Sequence, residues 1–303
     1  MEKRELGKTG MQVSVLGFGG AEIGYENASP ETVAQLLGSA LDAGLNVIDT
    51  AECYADSEEK IGRALSGRRD HYYLFTKCGH AAGFDLPDWD LRLLEQSIDR
   101  SLRRLKTDYV DLIHLHTCSE ELLRRGEVIE VLKKARDAGK TRFIGYSGDS
   151  QAALYAVQSG VFDTLQTSIN IADQEAIDLT IPMAREKGMG VIAKRPIANA
   201  AWRFNSTSAE NASPPDYWKP YLERLQELDY EFLKGELRQS IATALRFTLS
   251  VAGVGTAIVG TTKPDRWQQN AELLEGGALS NAEFEAIRAR WRSVAIANWV
   301  GQG

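Results

Sequence analysis

Asn46-Val47-Ile48-Asp49, Tyr72-Tyr73-Leu74-Phe75-Thr76-Lys77 and Tyr109-Val110-Asp111-Leu112-Ile113-His114-Leu115-His116 are three short, largely apolar runs, each ending on a side chain that carries or shares a proton. Their length and β-branched content read as strands, and helical patterns stand between them. Val33, Leu36, Leu37, Ala40 and Leu41 follow helical spacing after the cap and first-turn proline Ser29-Pro30, and Gly44 ends the pattern. Asp56 and Glu59 have capping-box spacing and predict the next helix start. Leu91, Leu94, Ile98, Leu102 and Leu105 mark a further helix face, and Val128, Leu132 and Ala135 another. With Val15–Phe18 as the first strand, Thr141–Tyr146, Asp163–Thr167, Met189–Ala193 and Thr256–Val259 bring the count to eight. Eight strands alternating with helices point to an α/β fold, a parallel (β/α)8 TIM barrel, and no linker divides residues 1–303 into two domains.

Elements outside the repeat fit the same plan. Arg4–Leu6 and Gln12–Ser14 flank Gly7-Lys8-Thr9-Gly10, a hairpin pattern suited to covering the barrel bottom. Across residues 196–225 periodicity fails in a stretch holding Trp202, Phe204, Tyr217 and Trp218, read as a long insertion over the top face. Ser280 and Glu283 form a capping box for an additional C-terminal helix running to about Trp291.

The bulk composition is that of a globular chain: 303 residues, 43% hydrophobic and 25% charged. A net charge of -7 disfavours a general attraction to nucleic acid or anionic membrane, while leaving room for a local basic pocket. The N-terminus carries charges of both signs and no long apolar run, so the expected location is cytoplasmic, with no membrane partner. Cys53, Cys78 and Cys118 are odd in number and lack metal-site spacing, so they read as free thiols, with no metal site. Strand alternation turns Cys78 away from Lys77, towards the helices. Oligomeric state has no signature in the sequence.

In a (β/α)8 barrel the C-terminal strand ends share one mouth, so Asp49, Lys77 and His116 converge there, with Tyr54 just beyond its strand. That set is a carbonyl-reduction centre. An ammonium next to a phenol stabilises phenolate and makes Tyr54 a stronger acid, Asp49 counters the charge of Lys77, and neutral His116 orients the carbonyl oxygen. His114 shares the parity of His116 but lies deeper and is assigned to packing or a supporting hydrogen bond. Any one of the four residues alone would equally suit an ordinary ion pair, a rim aromatic or a core histidine; the combination is what argues for chemistry.

These segments, Leu16-Gly17-Phe18-Gly19-Gly20, the run Asn46 to Tyr54 with Ser57-Glu58, Phe75-Thr76-Lys77, Asp108 through His116, and Ile144-Gly145-Tyr146-Ser147, resemble the aldo-keto reductase superfamily along nearly the whole chain. The resemblance implies a catalytic tetrad of Asp49, Tyr54, Lys77 and His116, a small aldehyde or ketone as substrate, and a nicotinamide cofactor, NADP (NADPH) with NAD as the alternative. It implies cofactor contacts at Gly20 and, for the carboxamide, at Ser147 and Gln166, while the cations Lys194 and Arg195 read equally as contacts to the ring, to a cofactor phosphate or to an anionic substrate, or as rim charges. It also implies a phosphate-and-adenine segment at Gly260, Thr261, Thr262, Lys263, Arg266, Gln269 and Asn270, with Pro264 opening a helix and Arg266 favouring a 2′-phosphate. The chain departs from the family pattern in three places. Gly148 replaces an Asn, with Asn170 as a compensating amide; Lys194-Arg195-Pro196 replaces a stacking Tyr before Ser-Pro, with Arg195 or Trp202 as substitutes; and Gly260 stands where a Lys is common. The alternative function is a nucleotide-binding regulatory or redox-sensing relative with little turnover, and an isomerase or lyase on the same barrel is a third.

Overall fold

The computed structural model describes residues 1–204 and 218–302. Tyr217 and the centre of the expected insertion lie outside the described residues. All eight expected barrel strands form, in the order of the chain: β3 (Leu16–Gly19), β4 (Val47–Asp49), β5 (Tyr73–Cys78), β6 (Val110–His116), β7 (Thr141–Ser147), β8 (Thr164–Ser168), β9 (Gly190–Lys194) and β10 (Val254–Gly260). Each pairs in parallel with its neighbours, and β10 closes the ring against β3. Their ends shift by one or two residues from the periodicity, as expected where hydrogen bonding rather than side-chain pattern sets the boundary.

Before the barrel, β1 (Lys3–Glu5) and β2 (Gln12–Ser14) form an antiparallel pair whose turn is a short 3-10 segment, with Gly10 left-handed at φ 71°. The hairpin carries Leu6, Met11 and Val13 into the barrel floor against Val47, Phe75, Leu112, Ile192 and Ile258, all buried. These are inward-facing strand positions, so the lower barrel is a dry plug.

The outer layer holds α1 (Ala21–Tyr25), α2 (Pro30–Asp42), α3 (Ser57–Ala64), α4 (Leu91–Leu105), α5 (Glu120–Arg125), α6 (Glu127–Asp137), α7 (Ser150–Ser159), α8 (Glu175–Leu179), α9 (Ile181–Glu186), α10 (Lys219–Leu228), α11 (Leu237–Ser250), α12 (Arg266–Glu272) and α13 (Asn281–Val294). Ser29 caps α2 by accepting from the Thr32 N–H at 3.2 Å, and the Ser280 and Glu283 box caps α13, which runs three residues past Trp291. The box expected at Asp56 does not form. The Asp56 carboxylate pairs with Lys60 at 2.8 Å and Glu59 with Arg104 at 3.3 Å, because both cations lie within reach and offer a charged partner in place of a neutral N–H. Likewise α12 starts at Arg266 rather than at Pro264, with Asp265 before it.

Cys78 faces the helix layer, its Sγ 3.7 Å from the His114 carbonyl oxygen, and burial pushes its thiol well up from its ordinary range. A second apolar cluster joins Tyr221, Leu225, Phe247, Ile287, Trp291 and Trp299, so α13 and the following residues seal one side of the barrel top. Among the described residues no helix is long and apolar enough to cross a membrane.

Phe75 is fully buried at the centre of the floor. Phe75→Ala is expected to lower unfolding free energy by about 3–5 kcal/mol, measured by urea denaturation, since the plug above and below it leaves little freedom to collapse into the cavity.

Candidate active site

The loop after β4 is fixed by its backbone before any side chain acts. Thr50 N–H donates to the Phe75 carbonyl at 2.9 Å and Glu52 N–H to the Lys77 carbonyl at 3.2 Å, continuing the strand pairing beyond the sheet. Tyr54 N–H donates to Ala51, Ser57 N–H donates to Tyr54, and the buried hydroxyls of Thr50 and Ser57 meet at 2.9 Å. From outside, α1 presses on the loop through Gly24, where a Cβ would stand 2.2 Å from the Tyr54 carbonyl oxygen. Behind it, Glu58 accepts from Thr76 at 2.7 Å and Glu52 pairs with Arg100, tying the loop to β5 and α4.

On this frame Lys77 donates to the Asp49 carboxylate at 2.5 Å and to the Thr50 carbonyl at 2.9 Å, with both side chains almost fully buried. The second Asp49 oxygen accepts from the Gln166 amide at 2.9 Å, and Gln166 Oε1 accepts from Ser147 at 3.0 Å. Lys77 Nζ lies 5.1 Å from the Tyr54 ring centroid. The Tyr54 ring meets His116 edge to face at 5.7 Å and Tyr25 at 5.8 Å. All four expected catalytic side chains thus surround one point at the mouth.

Burial, reinforced by the charge of Lys77, holds His116 well below the usual histidine range, so its ring is neutral at pH 7. Cys53 lies 3.5 Å from His116 Nδ1, and burial raises its thiol to about 11, so it remains S–H. If that thiol donates to Nδ1, the ring proton sits on Nε2, the tautomer that can donate to a substrate oxygen. The deeper His114 bonds Thr164 at 3.1 Å and is likewise held neutral by burial, as its supporting role requires.

Among the expected cofactor contacts, Ser147 and Gln166 join the tetrad network directly. Each keeps hydrogen-bonding capacity after its internal bond, namely the remaining amide N–H of Gln166 and lone pairs on both side chains. Nearby on the chain, Asn170 is fully buried and its Nδ2 has no partner among the described residues, so the donor set fits a carboxamide. Gly148 is a place where the family's Asn has no room: a Cβ would stand 2.5 Å from the Tyr146 hydroxyl, which donates to the Cys118 carbonyl. Gly20 packs equally tightly, its would-be Cβ 2.7 Å from Ser57 Oγ.

Lys194 and Arg195 are already engaged. Lys194 pairs with buried Asp149 at 2.9 Å, and Arg195, left-handed at φ 56°, donates to Ser168 at 3.0 Å and to the Gln302 carbonyl. Beside them burial lifts the Asp173 carboxyl to about 8, near Arg224 and the Tyr221 hydroxyl. Trp202 stands half-buried in a 3-10 turn after β9.

On the opposite rim the segment after β10 meets α1. A Cβ at Gly260 would fall 1.6 Å from Glu22 Oε2, so the Glu22 carboxylate fills the space that a lysine side chain would need. Burial raises that carboxyl to about 7. Thr262 donates to Glu26 at 2.9 Å, and the Thr261 hydroxyl accepts from the Lys263 N–H at 3.1 Å. Lys263 and Arg266 enter none of the ion pairs formed among the described residues, whereas Asn270 is buried in the helix layer. Sequence reasoning missed Glu22, and it missed His80 and Trp89 on the loop after β5, where His80 stands beside His116 and Trp89 beside His80. Their one signal was position, since loops after barrel strands form the mouth.

The geometry agrees with independent similarity. L-galactose dehydrogenase of Arabidopsis thaliana is 29% identical over 320 residues, covering 99% of this chain and 97% of that protein. The 6-dehydroglucose reductase of Novosphingobium aromaticivorans is 33% identical over 177 residues, covering 54% of this chain and 57% of its own. An aldo-keto reductase from Bacillus halodurans, solved in a holo form, superposes with a TM-score of 0.80 at 25% identity and 99% coverage of both chains. The sequence model of the Aldo/keto reductase family matches residues 15–292, from the first barrel strand to the last helix, and the chain belongs to that family of oxidoreductases.

Proposed function

We propose that the chain, as one cytoplasmic barrel domain, is an NADPH-dependent reductase of small aldehydes or ketones, running in reverse as an alcohol dehydrogenase. The observation that carries this reading is the Lys77 ammonium held between the Asp49 carboxylate and the Tyr54 ring. When bound, the nicotinamide cofactor supplies the hydride. Tyr54 gives its phenolic proton to the carbonyl oxygen, Lys77 stabilises the phenolate left behind, and Asp49 offsets the cost of burying that cation. His116 donates Nε2–H to the same oxygen and so orients the carbonyl and stabilises the charge that develops there. In the reverse direction the phenolate accepts the alcohol proton. Ser147, Gln166 and Asn170 would hold the carboxamide, with the Gly20 backbone, packed on Ser57, beside them.

Lys263 and Arg266 support NADPH over NADH as preferred cofactor, each offering charge to a 2′-phosphate. Two relatives are named for sugar-type substrates, which supports a carbonyl carried on a hydroxylated carbon chain.

Tyr54→Phe is expected to lower kcat by about 10²-fold or more while NADPH still binds, as general acid catalysis requires. Near-wild-type turnover on a verified substrate would remove Tyr54 from the acid role, and NADPH binding without turnover across a carbonyl panel would favour a sensing role instead. Glu22 makes cofactor affinity pH-dependent. Its carboxyl is neutral below about 7 and ionised above, where it opposes an anionic dinucleotide, so the NADPH dissociation constant is expected to rise from pH 6 to 8. Glu22→Gln should flatten that dependence in a fluorescence titration.

A further inference from the structure

The loop after β5, residues 79–90, is closed by Trp89 N–H donating to the Gly79 carbonyl at 2.9 Å. Gly79, at φ 140°, is packed so tightly that a Cβ would meet the Trp89 ring at 2.4 Å, and Trp89 itself takes a left-handed φ of 68°. A bulky residue in that conformation is strained and needs surroundings that over-determine it. The strained closure presents one side chain to the mouth: His80 meets His116 edge to face at 5.2 Å and Trp89 at 5.8 Å.

His80 has a determined orientation. Its Nδ1 lies 2.8 Å from Asp88 Oδ2, and the other Asp88 oxygen accepts from the Ala81 N–H at 2.7 Å. The hydrogen bond from His80 holds the Asp88 carboxyl below its usual range, so it accepts only and Nδ1 carries the hydrogen. In the neutral ring Nε2 is then an acceptor. Its protein neighbour is the Thr117 hydroxyl at 3.5 Å, whose proton is directed to the His116 carbonyl at 2.6 Å. Among the described residues Nε2 thus has this one long contact, on a partly exposed ring beside His116, and an O–H is a donor that this acceptor can take.

We propose that His80, oriented by Asp88, is a specificity-determining residue that accepts a hydrogen bond from a hydroxyl on the carbon next to the reacting carbonyl, making 2-hydroxy aldehydes and ketones the preferred substrate class. This rests on the reductase reading above. The His80 and His116 rings stand 5.2 Å apart, so with the carbonyl oxygen between Tyr54 and His116 the proposal assigns to His80 the hydroxyl on the adjacent carbon.

The test compares 2-hydroxypropanal, 3-hydroxypropanal and propanal with NADPH. Wild-type kcat/KM should be highest for 2-hydroxypropanal. His80→Ala and Asp88→Ala should each lower the ratio of 2-hydroxypropanal to propanal roughly five- to tenfold, the effect of one hydrogen bond. Asp88→Asn, whose amide oxygen still accepts the Nδ1 hydrogen, should retain most of the ratio. A merely structural loop residue would lower both substrates together and leave the ratio alone. An unchanged ratio in folded His80→Ala or Asp88→Ala, or a wild type that does not prefer the 2-hydroxy compound, overturns this assignment while the reductase reading stands. Absence of turnover on every carbonyl overturns both. His80→Gln provides a second folded variant for the same measurement.

Discussion

A lysine and an aspartate enclosed together in the upper barrel set the terms for everything around them. Taking Lys77 and Asp49 out of water costs several kcal/mol per ion, and their attraction offsets this only if the remaining donors and acceptors are also satisfied. They are: the Thr50 carbonyl takes a second Lys77 proton, Gln166 donates to the free Asp49 oxygen, and Ser147 donates to Gln166. The pair thereby dictates the path of the chain after β4 and the identity of side chains on β7 and β8. It also adds to the effect of burial in keeping His116 neutral, since a second cation so near a buried ammonium is disfavoured.

The barrel is divided by polarity. Below the pair, Phe75, Leu112, Ile192 and Ile258 meet the hairpin residues Leu6, Met11 and Val13 and exclude water. From the level of the pair upward, inward-facing positions become polar, with His114, His116, Ser147 and Gln166 replacing hydrocarbon. A dry floor keeps the local dielectric low, so charges at the mouth act strongly on one another. The fold thus does more than place residues; it sets the strength of their interactions.

Around the rim, charge is compensated where sequence alone suggested free cations. Lys194 is matched by Asp149, while the Arg195 guanidinium is hydrogen-bonded by two neutral acceptors, the Ser168 hydroxyl and the Gln302 carbonyl. At Gly260 the local sign is reversed, because Glu22 occupies the volume that glycine leaves open. A missing side chain on one strand leaves space that an acidic residue from a short helix fills, so Glu22 and Glu26 stand on the same rim segment as Lys263 and Arg266.

The barrel and the meeting of Asp49, Tyr54, Lys77 and His116 at its mouth were legible in the chain because both rest on local regularities: strand runs ending in Asp49, Lys77 and His116, helical spacing such as Leu91 to Leu105, and caps such as Ser29 and Ser280. Alternation along a strand is enough to turn Cys78 outward and Lys77 inward. Competition among partners was not legible. Asp56 had the spacing of a cap and chose Lys60; Gln166 reached Asp49 across 117 positions; Glu22 met Gly260; His80 was aimed by Asp88 and a strained Trp89. Which partner a polar side chain takes depends on distances between segments remote in sequence, and only the closed barrel sets those distances.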